Sequence, residues 1–184
     1  MKYDFSNNTI ETERLLLREY TLDDVDKVVE YCNDPDMSRY MLHIPYPYKR
    51  EDAINWINSH REYVEKDRLF NYAITDKDTG ELLGTVSLSH NKENRNGEIG
   101  YWIGKKYWNK GYATEACKAI IQYAFEVKDY HKVYIRHLEE NYASKKVIEK
   151  CGFLFEGNLK EHIYKNGKFH NILTYGLINR DFAS

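Results

Sequence analysis

Residues 108 to 117 read WNKGYATEAC, and the first half of that stretch has the composition of an anion site. A strand, a short glycine-containing loop and a helix N-terminus bring unpaired backbone N–H groups and the positive helix end to one place. Gly111 removes the Cβ that would block close approach, Ala113 is nearly as small, and Lys110, with Lys105 and Lys106 before it, adds positive charge. The chemistry this implies is phosphate binding. The stretch is not the G-x-x-x-x-G-K-[ST] loop, and one glycine is too few for a dinucleotide fingerprint. A capped helix whose glycine only makes a turn is the structural alternative.

A second informative segment is NYASKKVIEKCGF, residues 141 to 153. Asn141 and Ser144 lie one helical turn apart, so both polar groups can face the same space. Capping competes with that role, because asparagine is a good N-cap and Ser144 can simply face water. Cys32, Cys117 and Cys151 are scattered, with no C-x-x-C spacing. They read as buried free thiols on helix faces, not as a disulfide framework or a zinc site. No metal site is expected.

The elements that position these residues follow from periodicity. ERLLLREY (13 to 20) reads as a strand, and a helix follows, capped by Thr21 and carrying the stripe Leu22, Val25, Val29 and Cys32. NDPDM ends it, and SRYMLHIPYPY (38 to 48), with two prolines and no period, reads as a loop. Ala53, Trp56, Ile57, His60, Tyr63 and Val64 make a second amphipathic helix running to about Asp67, with His60 read as core. Three antiparallel strands come next, at residues 70 to 76, 82 to 90 and 97 to 103. A long helix, a strand at 132 to 138, a helix to Cys151 closed by Gly152, and a hairpin turning at Asn166-Gly167 complete the order. The order β-α-α-β-β-β-α-β-α-β-β describes a single α/β (α+β) domain over residues 1–184, with a mixed, mostly antiparallel sheet of about seven strands and four helices.

Composition sets outer bounds. The chain has 184 residues, 42% apolar and 30% charged, with a formal net charge of -2. That charge offers no global attraction to nucleic acid. No segment approaches the ~18 consecutive apolar residues of a membrane span, and the start lacks a signal peptide's apolar run. A cytoplasmic protein without nucleic-acid or membrane partners is expected.

YWNKGYATEA and NYASKKVIEKCGF, preceded by EIGYWIG and opened by ETERLLLREY, resemble the GNAT superfamily of acetyl-CoA-dependent N-acetyltransferases, in its RimJ/RimL-type branch of ribosomal-protein N-terminal acetyltransferases. The resemblance runs from about Thr12 to Ile178. It implies the GNAT fold and acetyl-CoA (coenzyme A) as cofactor, with the backbone of Asn109, Lys110, Gly111, Tyr112, Ala113 and Thr114 around the pyrophosphate. It further implies that the strand Tyr101, Trp102 and Ile103 pairs with the pantetheine arm, and that Asn141 and Ser144 face the thioester end. Trp108 stands where the superfamily pattern expects a polar residue and narrows the match to this branch. Members of the branch often form homodimers.

Acetyl transfer to nitrogen requires a neutral amine, a donor for the oxyanion and a proton for the departing thiolate. The resemblance puts the base on the central strand, where Glu98 stands, acting through water. Its alternatives are a solvated residue or a partner for Arg95 or Arg136. Ser144 would protonate the thiolate. Similar proteins carry a glutamate where Ile163 stands, and Glu161, two residues earlier on the same strand face, is the fallback base. The amine acceptor, a ribosomal or other protein N-terminus, is expected under the loop carrying Tyr40, His43, Tyr46 and Tyr48. Small-amine acetylation is the enzymatic alternative, disfavoured because SRYMLHIPYPYKR has no carboxylate, and a non-catalytic acyl-CoA sensor is the other.

Overall fold

The computed structural model describes residues 1–42 and 44–182. The strands are β1 (Lys2–Asp4), β2 (Thr9–Glu11), β3 (Leu15–Arg18), β4 (Leu69–Asp76), β5 (Leu82–Ser89), β6 (Asn96–Ile103), β7 (Lys132–Leu138), β8 (Leu154–Lys165) and β9 (Lys168–Ile178). The helices are α1 (Val25–Cys32), α2 (Pro35–Tyr40), α3 (Arg50–Glu65), α4 (Tyr112–Gln122) and α5 (Tyr142–Lys150), with α4 continuing into a wider turn at Tyr123–Val127. One sheet takes all the strands in the order β1-β2-β3-β4-β5-β6-β7-β9-β8. Every neighbouring pair is antiparallel except β6 and β7.

Among the described residues the sheet has nine strands where about seven were expected, and there are five helices where four were expected. The added strands β1 and β2 have three residues each, too few to display alternation, although the Asp4 carboxylate accepting from the backbone of Ser6 and Asn7 does make a turn between them. The added helix lies within residues read from sequence as a helix stop and a loop. Asp34 caps it, accepting from the N–H of Asp36 at 2.8 Å and of Met37 at 3.3 Å, with Pro35 in the first turn. The same Asp-Pro pair serves as a stop and as a start, and six residues are too short for an apolar stripe to decide between them.

Alternation along β6 sorts the layers. The Tyr101 side chain meets α5, whereas the next residue, Trp102, packs on Tyr31 of α1 with ring centroids 6.2 Å apart. Helices α4 and α5 touch each other on one face, and α1 and α3 pair on the other. The core between them includes Tyr72, Ile74, Leu83, Leu88, Ile99, Ile120 and Ile135, each essentially inaccessible. Cys32, Cys117 and Cys151 are buried free thiols, as their spacing indicated.

The feature that makes a site is the junction of β6 and β7. These parallel strands pair only at Asn96–Glu98 with Lys132–Tyr134. Beyond that point β7 stays with β9 as far as Leu138, while β6 stays with β5 as far as Ile103. A wedge therefore opens along Ile99–Ile103, and among the described residues that edge of β6 has no strand partner.

Candidate active site

At the mouth of the wedge β6 turns through residues 105 to 107 into the loop before α4. The Trp108 indole N–H donates to the Ile103 carbonyl at 2.6 Å and fixes the loop to the end of β6. Asn109 and Gly111 both take positive φ, 62° and 83°. Glycine adopts that backbone without strain, and asparagine is among the residues that tolerate it best. A Cβ on Gly111 would meet only Arg14, with Nη2 at 3.4 Å. Among the described residues the backbone N–H groups of Asn109, Lys110, Gly111, Tyr112, Ala113 and Thr114 donate to no protein acceptor, and the first helical bond runs from Glu115 N to Gly111 O. Six such donors at the N-terminus of an eleven-residue helix fit a pyrophosphate.

Charge at this mouth is distributed differently from the sequence expectation. Lys105 pairs with Asp36 at 2.6 Å and Lys106 with Glu81 at 2.8 Å. Among the described residues Lys110 has no carboxylate within ion-pair reach, and its ammonium lies 5.6 Å above the Tyr107 ring. Lys110 is therefore the lysine with charge to offer an anion. Sequence reasoning passed over Arg14 and Glu115. Arg14 donates through Nε to Glu115 at 2.7 Å and through Nη1 to the Lys110 carbonyl at 3.0 Å. Burial raises the Glu115 carboxyl, but the Thr12 hydroxyl and the Arg14 backbone and guanidinium outweigh it and hold it below the ordinary range.

Inside the wedge, Ser144 and Tyr101 meet. Their hydroxyl oxygens are 2.7 Å apart, and burial pushes the Tyr101 phenol well above its usual range. Asn141 has non-helical φ/ψ and accepts from Ser144 N–H at 3.1 Å, so it caps α5 while holding Ser144 in place. Glu98 sits where β6 and β7 part. Its two oxygens accept from Arg136 Nε at 2.8 Å and Nη2 at 2.7 Å, the partnership the sequence had left as an alternative. Each oxygen keeps further lone-pair capacity for a water or an ammonium.

The other wall is built from α2, the residues after it and the β8–β9 hairpin. Tyr40 ends α2 and is half-buried beneath Arg39, Tyr46 is exposed and Tyr48 is buried, with its backbone bonded to Asn33. His43 lies outside the described residues. Lys165 at the hairpin tip donates to the Met41 carbonyl at 2.8 Å, so hairpin and loop are joined. A concavity of about 350 Å³ lies here, lined by Arg39, Glu139, Glu140, Glu161 and His170 among others. These carboxylates come from the β7–α5 turn and from β8, outside the loop searched in the sequence. Glu161 does not share a regular strand face with Ile163. A bulge runs from Leu159 to Ile163, Glu161 takes φ 51°, and its N–H donates to the Asn171 side chain at 2.8 Å.

A family model described as an acetyltransferase (GNAT) domain matches residues 14–154. The chain belongs to the GNAT acetyltransferases. An uncharacterized N-acetyltransferase, p20 of Bacillus licheniformis, is 31% identical over 178 residues, covering 95% of this chain and 98% of that protein. The putative ribosomal N-acetyltransferase YdaF of Bacillus subtilis is 42% identical over 105 residues, 56% of this chain and 57% of that protein. Among solved structures, a GNAT-family acetyltransferase from Bacillus anthracis superposes with a TM-score of 0.84 at 28% identity, covering 94% of this chain and 99% of that one. Spermidine N-acetyltransferase from Vibrio cholerae, in complex with CoA and spermine, superposes with a TM-score of 0.80 at 22% identity, covering 92% and 98%. This GNAT protein is an acetyl-CoA-dependent N-acetyltransferase, an acyltransferase. Among the described residues no helix is long and apolar enough to cross a membrane, and no cluster of His, Cys, Asp or Glu is arranged to hold a metal.

Proposed function

We propose that this enzyme acetylates the α-amine of a protein or peptide N-terminus. Acetyl-CoA supplies an activated thioester that the amine nitrogen attacks directly, releasing the coenzyme A thiol. The chain's own residues divide the work. The N–H groups of Asn109 to Thr114 hold the pyrophosphate, with Trp108 fixing the loop that carries them. The open edge at Tyr101, Trp102 and Ile103 receives the pantetheine arm. Asn141 and Ser144 face the thioester end, and Ser144 Oγ offers the proton for the leaving thiolate. Glu98 accepts the amine proton through water, and Tyr40 and Tyr46 line the acceptor's approach.

The observation that carries the choice of acceptor is the Glu98–Arg136 pair. A carboxylate already accepting two guanidinium N–H bonds at 2.8 and 2.7 Å is committed to Arg136 and reaches the amine only through water. Deprotonating an α-amine at pH 7 costs roughly 1 kcal/mol, whereas an amine near 10.4 costs roughly 4.6 kcal/mol. A site whose carboxylate is so engaged suits the first. The partial match to a putative ribosomal acetyltransferase supports the same reading.

A second reading draws on the carboxylates Glu139, Glu140 and Glu161 beside the hairpin, which suit a polyamine's second cation. Release of coenzyme A thiol from acetyl-CoA separates the two readings when free-N-terminus peptides, polyamines and aminoglycosides are offered in turn. Release with peptides alone is expected. Turnover confined to polyamines would replace the first reading by the second.

A further inference from the structure

Six backbone N–H groups without a protein acceptor do not hold one arrangement unaided, because each peptide plane near a glycine can rotate. We propose that Arg14, far from the phosphate loop in sequence, is the positioning residue that fixes the loop in its anion-binding form. This inference rests on the reading that Asn109 to Thr114 hold the pyrophosphate.

The geometry is specific. Arg14 Nη1 donates to the Lys110 carbonyl at 3.0 Å. In a planar trans peptide the carbonyl of Lys110 and the N–H of Gly111 point in opposite directions. Drawing that carbonyl toward Arg14 therefore turns the Gly111 N–H away from Arg14, toward the proposed phosphate. The remaining guanidinium donors go to Glu115 Oε2, at 2.7 Å from Nε and 2.6 Å from Nη2. Glu115 Oε1 in turn accepts from Arg14 N at 2.9 Å and Thr12 Oγ1 at 2.6 Å. The guanidinium also lies 4.6 Å over the Tyr112 ring. Loop, first turn of α4 and the chain entering β3 are thereby joined through one side chain.

Arg14 has a second effect on the same ligand. Glu115 stands in the first turn of α4, so its charge is close to any anion bound there. Pairing with Arg14 cancels a repulsion that would otherwise act on the pyrophosphate. The Arg14 side chain is 44% exposed, so its removal is expected to cost the fold little compared with what it costs the ligand. A lysine here would restore charge but not the fork that spans two acceptors.

The test is calorimetric binding of coenzyme A and dephospho-coenzyme A, with pantetheine, which lacks the pyrophosphate, titrated by NMR. Arg14→Ala is expected to weaken both nucleotides by about tenfold, since hydrogen bonds to charged groups are the strong ones. Arg14→Lys, the conservative variant, is expected to recover less than half of that loss in free energy, and pantetheine to bind the wild type and both variants alike. Wild-type affinity in Arg14→Ala, full recovery in Arg14→Lys, or an equal loss for pantetheine would each overturn the proposal. Gly111→Val separates it from the reading beneath it. Weakened binding there beside unchanged binding in Arg14→Ala refutes the Arg14 role alone, and unchanged binding in both removes the pyrophosphate assignment as well.

Discussion

The two walls of the wedge are made in different ways. The cofactor wall offers backbone N–H groups on a loop pinned at both ends, by the Trp108 indole to Ile103 and by Arg14 to Lys110 and Glu115. The acceptor wall offers side chains from α2, the residues after it and the hairpin, with exposed Tyr46, Tyr164 and Phe169 among them. Backbone donors bind a phosphate whatever the side chains are, so such a wall can stay constant while its opposite changes. In the proposed reading, side chains on short elements meet the acceptor, so that wall would set the choice of substrate.

The sharpest way to break this contrast is at the loop. A branched side chain on Gly111 must adopt φ near 83°, and its Cβ would stand 3.4 Å from Arg14 Nη2, against the side chain that pins the loop. Gly111→Val is expected to weaken coenzyme A binding by a factor on the order of 10³, combining backbone strain with displacement of Arg14. Calorimetry measures it, and circular dichroism verifies the fold.

The next effect distinguishes the two faces of the sheet by pH. His60 on α3 is buried beside Trp56 and Tyr20, neither ring nitrogen has a partner among the described residues, and burial lowers its pKa from 6.5 to about 4. Between those values the unfolded chain binds the extra proton, so stability falls as the pH drops from 6.5 to 4, by up to about 3 kcal/mol. Glu115 on the cofactor side behaves otherwise. Its lowered pKa contributes stability that is present above 4.5 and lost only as the pH falls through the folded value. His60→Leu is expected to flatten the decline between pH 6.5 and 4 in denaturant titrations, leaving the more acidic limb in place.

Chemistry gives the third comparison. Glu98→Gln is expected to lower turnover by a factor on the order of 10² with cofactor affinity nearly unchanged, measured by thiol release and calorimetry. Equal activity would remove Glu98 from the mechanism. The smallest effect belongs to the wedge interior. Tyr101→Phe deletes the hydroxyl 2.7 Å from Ser144 and is expected to cost about 1 kcal/mol of stability in the same titrations.

The cofactor wall was the legible one because its determinants are neighbours in the chain. A glycine at a helix start, small residues after it and a strand before it announce themselves within ten residues, and the Asn141 cap and the Asn166-Gly167 turn lie where local rules place them. Its buttress was not legible, since Arg14 and Glu115 are 101 residues apart and each alone reads as a surface charge. The acceptor wall was read least well. Glu139, Glu140 and Glu161 reach it by way of a turn and a bulged hairpin, and the bulge voids the two-residue alternation used to place Glu161. The short β1, β2 and α2 escaped for want of enough residues to show a period.

The most direct measurement is an amide NMR titration of the isotopically labelled protein with coenzyme A. A backbone-built cofactor wall predicts that the amides of Asn109 to Thr114 shift together and gain protection from exchange, with Tyr101 to Ile103 following and Tyr46 unmoved. Shifts confined to the hairpin and the residues after α2, with the 109–114 amides unchanged, would contradict it.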